Sequence, residues 1–163
     1  QFCIMGGQSS KPQQRVLIAV DGSSHSQNAF DWYRTNLATP GEDVILFHTG
    51  SLPNYLMAPT GISASNSDVQ RANESLRKRV AQLEESMMEQ CKRHSMQCRW
   101  KYADSLSPGP AVVDASAEEK ADLVVMGTRG LGTIRRTILG SVSEFVISHS
   151  RRPVVVVPPP PQQ

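Results

Sequence analysis

Three glycines and a serine in the last third of the chain follow the spacing Gly127-x2-Gly130-x9-Gly140-Ser141. Glycine permits positive φ angles and a close approach of the backbone to a bound group. Ser141 and Glu144 have the spacing of a capping box, which predicts a helix N-terminus capped by Ser141. The unpaired amides and the dipole at a helix N-terminus attract phosphate. The segment is therefore predicted to be an anion-binding loop that leads into a helix.

Basic and hydroxyl side chains in the same segment suit a phosphate ligand. Arg129, Arg135 and Arg136 offer positive charge, and Ser141 and Ser143 offer hydroxyl groups. An alternative is that the glycines only form tight turns and the arginines only contact water. The complete spacing of the glycines and the serine favours the phosphate-binding interpretation.

A second polar segment, residues 19–23 (AVDGS), ends the apolar run of residues 15–20. In open α/β sheets, ligands bind beyond the carboxyl ends of the strands, where the strand order reverses. Gly127 follows another apolar run, residues 122–126, in the same way. Both segments are therefore predicted to lie at the ligand-binding edge of one sheet.

Other phosphate and metal motifs are missing from the sequence. It has no G-x4-G-K-[ST] motif, and Arg135 occupies the third glycine position of a dinucleotide fingerprint that would begin at Gly130. It has no CxxC pair and no Cys/His cluster with zinc spacing. Residues 127–143 contain no carboxylate, so a Mg²⁺ ion would take most of its ligands from phosphate and water. The sequence thus argues against a P-loop NTPase and an NAD enzyme.

The pattern of apolar residues predicts the elements that hold these segments. Short β-rich runs predict five strands, and apolar residues three or four positions apart predict four helices between them. Alternation of strands and helices is typical of a parallel sheet covered on both faces, a three-layer α/β/α fold. The predicted strands are 15–20, 43–48, 97–103, 122–126 and 153–157, and the predicted helices begin at Ser24 (a capping box with Gln27), Ser67, Gly109 and Ser141.

The second predicted helix spans about 27 residues and carries one apolar stripe. We interpret this stripe as part of the core and assign no cofactor role to its methionine and cysteine. Its members are Val69, Ala72, Leu76, Val80, Leu83, Met87 and Cys91.

Length and composition indicate one domain. The 163 residues carry a net charge of +2, from 17 Lys+Arg and 15 Asp+Glu, which argues against a protein that coats nucleic acid. No run of 18 apolar residues occurs, so no membrane-spanning segment is predicted. We expect a flexible lead-in at 1–14, one domain at 15–157 with a surface excursion at 50–66, and a proline-rich tail at 158–163.

Cysteine usage bears on the compartment. Cys3, Cys91 and Cys98 form a sparse, odd-numbered set, so we expect no disulfide framework and a reducing, cytoplasmic location. If Met5 were the true start, the following residues would fit an N-myristoylation signal, but a chance match is the favoured interpretation.

Four segments of the chain resemble the nucleotide-binding branch of the universal stress protein family. They are RVLIAVDGSSHSQNAF (15–30), VILFHT (44–49), residues 121–150 and PVVVVP (153–158), and the glycine spacing matches the family's ATP motif without a gap. The resemblance implies a Rossmann-like fold of the adenine nucleotide alpha hydrolase type, with five parallel strands in the order 3-2-1-4-5. The strand order would then reverse between the first and fourth strands.

The resemblance also implies a ligand, ATP or AMP, with Mg²⁺ on the phosphates as an option. Asp21 matches the family's adenine-contacting acidic residue, and Ala19 and Thr49 match main-chain contacts. Val20, between Ala19 and Asp21, is included in the site. Met126 is expected to line the pocket. Ribose and phosphate contacts are implied for Gly127, Arg129, Gly130, Gly140, Ser141, Val142 and Ser143.

A homodimer that pairs the strand Val154–Val157 with its copy is implied by the family and agrees with the apolar edge of that strand. The implied role is a stress-response sensor or switch that binds an adenine nucleotide. Alternatives are a slow ATP hydrolase that uses the nucleotide state as a timer, and a non-catalytic interaction protein with an empty site, which the intact motif disfavours. No nucleophile, base and orienting group can be recognised around His25, the histidine nearest the predicted site.

Overall fold

The computed structural model describes residues 13–50, 66–128 and 139–160, and there it shows strands and helices in alternation. The strands are β1 (Arg15–Ala19), β2 (Asp43–Gly50), β3 (Cys98–Asp104), β4 (Leu123–Gly127) and β5 (Val154–Val157). The helices are α1 (Ser24–Asn36), α2 (Asn66–Arg93), α3 (Pro108–Glu118) and α4 (Ser141–His149). Most of the predicted lead-in and of the predicted surface excursion lies outside the described residues.

The five strands form one parallel sheet in the order β3-β2-β1-β4-β5. β1 lies at its centre, where Val16 pairs with Val44 of β2 on one side and with Leu123 of β4 on the other. The parallel sheet and the strand order are as predicted. Because β2 and β4 flank β1 on opposite sides, the reversal of strand order falls between β1 and β4.

Helices cover both faces of the sheet. α1 and α2 bury Phe30 and Met87 against one face, and α3 and α4 bury Val112 and Val146 against the other. β1 contributes to both cores because successive residues of a strand point to opposite faces. The three-layer α/β/α architecture is therefore confirmed.

β2 extends two residues beyond its predicted end at His48. Thr49 and Gly50 pair with Ala103 and Asp104, the last residues of β3. The extension follows from pairing with the neighbouring strand, which the apolar run of β2 does not reveal. It places Thr49 at the carboxyl edge of the sheet.

The apolar stripe of α2 is core only in its last part, which corrects the prediction of a stripe that is core throughout. Met87 and Cys91 are buried, whereas the members from Val69 to Leu83 are half-buried. A helix of 28 residues is about 42 Å long, while eight strand residues span about 26 Å, so α2 is longer than the sheet it covers. Within the described ranges, no helix combines the length and the apolar character needed to cross a membrane.

Cys91 and Cys98 form a disulfide, although the sparse, odd-numbered cysteines led us to expect no disulfide framework. Cys91 lies in the last turn of α2 and Cys98 begins β3, and their Cα atoms are 6.1 Å apart. The turn between these elements brings the two residues together. The sequence shows a separation of seven residues but not the geometry of that turn.

Ion pairs attach the edge strand β3 to its neighbours. Arg99 bonds Asp43 of β2 (3.0 Å) and Glu119, which follows α3 (2.7 Å), and Lys101 bonds Glu119 (2.6 Å) and Glu118 (2.8 Å). The hydrogen bonds from Lys101 and Arg99 hold the pKa of Glu119 below its usual value. These contacts lie near the amino ends of the strands, away from the predicted site.

Candidate functional site

A pocket of about 340 Å³ opens at the carboxyl ends of β1 and β4, where the strand order reverses. Every predicted site residue that the structure describes lines it. These residues are Ala19, Val20, Asp21, Thr49, Met126, Gly127, Gly140, Ser141, Val142 and Ser143. Arg129 and Gly130, together with Arg135 and Arg136, lie outside the described residues.

A tight turn after β1 fixes the carboxylate of Asp21. Its Oδ1 accepts hydrogen bonds from the backbone N–H of Ser23 (2.9 Å) and from the Ser23 hydroxyl (2.5 Å). Gly22, between them, has φ +78°, a conformation that glycine adopts without the steric cost of a Cβ. The carboxylate is thus held at the rim of the pocket by its own loop.

The N-cap of α1 is one residue earlier than the predicted cap, Ser24. Ser23 is the N-cap, and its Oγ accepts from the backbone N–H of Ser26 at 3.3 Å, so Ser24 is the first helical residue rather than the cap. The turn at Asp21 positions Ser23 for this role. A side chain therefore already satisfies part of the N-terminus of α1.

α4 differs from α1 in this respect. Its N-cap is Gly140, which makes no side-chain cap bond, so the predicted capping box of Ser141 with Glu144 is wrong. The amide of Glu144 donates to the carbonyl of Gly140 at 2.9 Å and closes the first turn. The amides of Ser141, Val142 and Ser143 precede it, and such first-turn amides have no acceptor within the helix. All three residues line the pocket, which gives it a set of amide donors.

Gly127 has a packing role that the prediction did not include. A Cβ added to it would stand 2.7 Å from the carbonyl carbon of His25, far inside contact distance. Gly127 does not adopt a positive φ angle, so the predicted conformational reason does not apply to this glycine. It is required because the first turn of α1 packs directly against the end of β4.

Apolar side chains form another part of the lining. Phe47, Val112 and Met126 are almost fully buried, and Pro108 and Val142 complete this apolar part. It resembles the side of a pocket that accepts a flat ring, since such sites are mostly apolar with a few placed polar groups.

Six lining residues were not among the predicted site residues: Ser23, His25, Ser26, Phe47, Pro108 and Val112. Phe47 could have been found, because it lies two positions before Thr49 on the same face of β2. Pro108 and Val112 come from α3, and no motif around them in the sequence marks them as pocket residues. Their place depends on Gly109, where a Cβ would stand 2.8 Å from Cδ1 of Phe145 in α4, so this glycine lets the two helices approach.

The described part of the lining carries few groups that could act as an acid or a base. Among its residues, Asp21 is the one carboxylate and His25 the one imidazole. Between described residues, no hydrogen bond joins His25 to a serine or threonine hydroxyl, as a nucleophile–base pair would require. In the part of the chain that the structure describes, no three His, Cys, Asp or Glu side chains are grouped to hold a metal ion. The described residues thus form no Mg²⁺ site of their own.

Known proteins share both the sequence pattern and the fold. The sequence model of the Universal stress protein family matches residues 13–158. A universal stress protein of Thermus aquaticus is 30% identical over 141 residues, which are 86% of this chain and 95% of the relative. A universal stress protein family protein from Arabidopsis thaliana with AMP bound has TM-score 0.65 and 19% identity, covering 89% of this chain and 91% of that one. A universal stress protein in complex with cAMP has TM-score 0.57 and 25% identity, covering 89% and 96%.

Proposed function

This chain belongs to the universal stress protein family, and from that premise we propose that its pocket binds an adenine nucleotide, ATP or AMP. The observation that carries the proposal is the convergence of the described predicted residues on one pocket at the switch point of the sheet. Two proteins of similar fold hold AMP and cAMP in their structures, which supports the same class of ligand here.

The lining divides into parts that suit the parts of a nucleotide. We assign the base to the apolar side with Val112 and Met126, where Asp21 accepts a hydrogen bond from the 6-amino group of adenine. Guanine carries a carbonyl oxygen at that position and would face the carboxylate unfavourably. The phosphates are assigned to the amides at the start of α4, where the helix dipole also favours negative charge.

We further propose that the protein acts in the cytoplasm as a homodimeric sensor or switch. β5 is a terminal strand of the sheet and its residues are valines, an edge that stays a hazard for aggregation unless it is covered. Pairing with the β5 of a second copy covers it. The absence of a nucleophile–base pair in the described lining favours nucleotide binding over fast hydrolysis.

Thermal unfolding with ATP, AMP, cAMP and GTP tests the proposal. A ligand at 100 times its Kd adds about 2.7 kcal/mol to the free energy of unfolding, a rise in Tm of about 5–10 °C for a domain of this size. We expect this rise with at least one adenine nucleotide and a smaller one with GTP. If no adenine nucleotide changes the Tm at millimolar concentration, the proposal is wrong.

Asp21→Asn tests how the base is recognised. The asparagine keeps an oxygen for the bonds from Ser23 but replaces part of the carboxylate with an amino donor, so we expect the preference for adenine over guanine to disappear. Asp31→Asn is the matched control, because Asp31 lies on α1 outside the lining and pairs with Arg34. Equal nucleotide preference in Asp21→Asn and in the unmodified protein would contradict the assignment.

A further inference from the structure

The turn between α2 and β3 holds Cys91 and Cys98 together by its backbone as well as by the bond between them. The amide of Met96 donates to the carbonyl of Cys91 at 3.0 Å, and Ser95 adopts a left-handed φ of 54° that reverses the chain. The Cα separation of 6.1 Å lies within the range that disulfides require. Because these hydrogen bonds do not involve the sulfur atoms, they are compatible with a reduced pair held close enough to bond again.

The two sulfur atoms differ in their access to solvent. Cys91 is buried with 1% of its surface exposed, among the side chains of the core that includes Met87. Cys98 is half-buried and belongs to β3, a terminal strand of the described sheet. A small oxidant therefore reaches Cys98 first, and Cys91 is placed to complete the bond.

The bond joins an edge strand to the buried end of a long helix. β3 is paired on one side only, with β2, and α2 is fully buried only around Met87 and Cys91. Farther up α2, Leu83 lies 3.6 Å from the position of a Cβ on Gly22, in the loop that carries Asp21. The disulfide and this contact with the rim of the pocket thus lie on the same helix, eight residues apart at Cys91 and Leu83.

We propose that Cys91 and Cys98 form a reversible oxidation site that takes a small hydroperoxide as its oxidant. The thiolate of Cys98 attacks the peroxide oxygen, which gives a sulfenic acid and releases an alcohol or water. The thiol of Cys91 then displaces water from that sulfur, and the disulfide forms. In total, two thiols and one hydroperoxide give one disulfide, one alcohol and one water, and a dithiol reductant reverses the change. Oxidation fixes the C-terminal part of α2 to β3 and stiffens the loop at Gly22.

Thiol counting in Cys3→Ser tests the chemistry, because this variant leaves only the two cysteines of the pair. After hydrogen peroxide under native conditions, we expect a loss of two hydrogens in mass and no thiol for maleimide after unfolding, with full recovery in dithiothreitol. The further variant Cys98→Ser in the same background must show no such reversible loss. If both thiols still react with maleimide after peroxide treatment, the proposal is wrong.

Thermal unfolding and hydrogen exchange test the structural effect. Closing a loop of this length is expected to raise the Tm of Cys3→Ser by about 5 °C over its reduced form. Amide exchange should slow in residues 83–104 and in residues 18–26, which contain the loop at Gly22. An equal Tm in both redox states would overturn the proposal, and unchanged exchange in residues 18–26 would overturn the link to the pocket rim. None of these readouts requires nucleotide binding, so they fail or succeed independently of the proposed function.

Discussion

The packing of Gly127 shows how one absent side-chain carbon shapes the pocket. With no Cβ at this position, the first turn of α1 reaches the end of β4, and both segments then line the same cavity. A methyl group there would meet backbone atoms of His25, which cannot rotate away as a side chain could. The distance between α1 and β4 is therefore set by the residue at 127.

Gly127→Ala should lower the free energy of unfolding by about 1–3 kcal/mol, because α1 must shift to admit the new carbon. The control is Gly50→Ala, the same change in the last residue of another strand. A Cβ at Gly50 meets no atom closer than 3.6 Å, so the effect should stay within about 0.5 kcal/mol. Urea unfolding of both variants measures the difference. Equal stability in the two variants would show that α1 moves without cost.

At the scale of elements, the network around Glu119 explains how an edge strand is kept in place. Arg99 and Lys101 stand on the same face of β3, and both bond Glu119 at the end of α3. Glu119 has 20% of its side chain exposed, so solvent screens these ion pairs less than it screens pairs on the open surface. The network attaches α3, which lines the pocket through Val112, to the edge of the sheet.

Glu119→Gln should destabilise the protein by about 1 kcal/mol near pH 7. The pKa of Glu119 is lowered in the folded state, so its contribution is present above its unfolded pKa and is lost as pH falls through the lower folded value. Wild type and variant should therefore approach equal stability in acid, once the pH lies below the folded pKa of Glu119. Glu118→Gln, which removes the more exposed bond to Lys101, should have the smaller effect. A difference between wild type and Glu119→Gln that persists in acid would mean that packing, not charge, is lost.

The identity and order of the elements could be predicted from sequence, but their ends and contacts could not. The apolar run of β2 ends at His48, whereas its pairing with β3 continues to Gly50. The capping-box spacing at Ser24 and Ser141 located both helix starts within one residue but assigned the wrong cap each time. Cap choice depends on how the preceding loop turns, as the bond between Asp21 and Ser23 shows, and local spacing does not contain that information.

At the scale of the whole molecule, the pocket is where three parts of the sequence converge. Residues 19–23, Thr49, 126–127 and 140–143 could be grouped in advance because parallel strands bring their carboxyl ends to one edge. The contribution of α3 to the lining, through Pro108 and Val112, could not be predicted. It depends on the close approach of Gly109 to Phe145. The resemblance to a family supplied the strand order that alternation alone leaves open.

The proposed dimer can be tested through the backbone of β5. The carbonyls of Pro153 and Val157 face β4, where they accept hydrogen bonds from the amides of Val124 and Thr128. Successive residues of a strand alternate in direction, so the amides of Val154 and Val156 point away from β4. Val156→Pro removes one outward amide and should leave the sheet paired but the protein monomeric. Val156→Ala, which keeps the amide, should remain dimeric. Sedimentation velocity separates the forms, and a dimeric Val156→Pro would exclude this edge as the interface.

The contact between Gly127 and His25 changes how substitutions in this motif should be interpreted. A bulky residue at 127 would displace a helix, so any accompanying failure to hold a ligand would report damage to the scaffold. A related protein whose pocket had been filled during evolution would still need glycine at this position. The presence of Gly127 is therefore a poor indicator that a family member binds a ligand. Substitutions meant to silence the cavity are better placed at positions such as Ala19, where an added side chain enters the space itself.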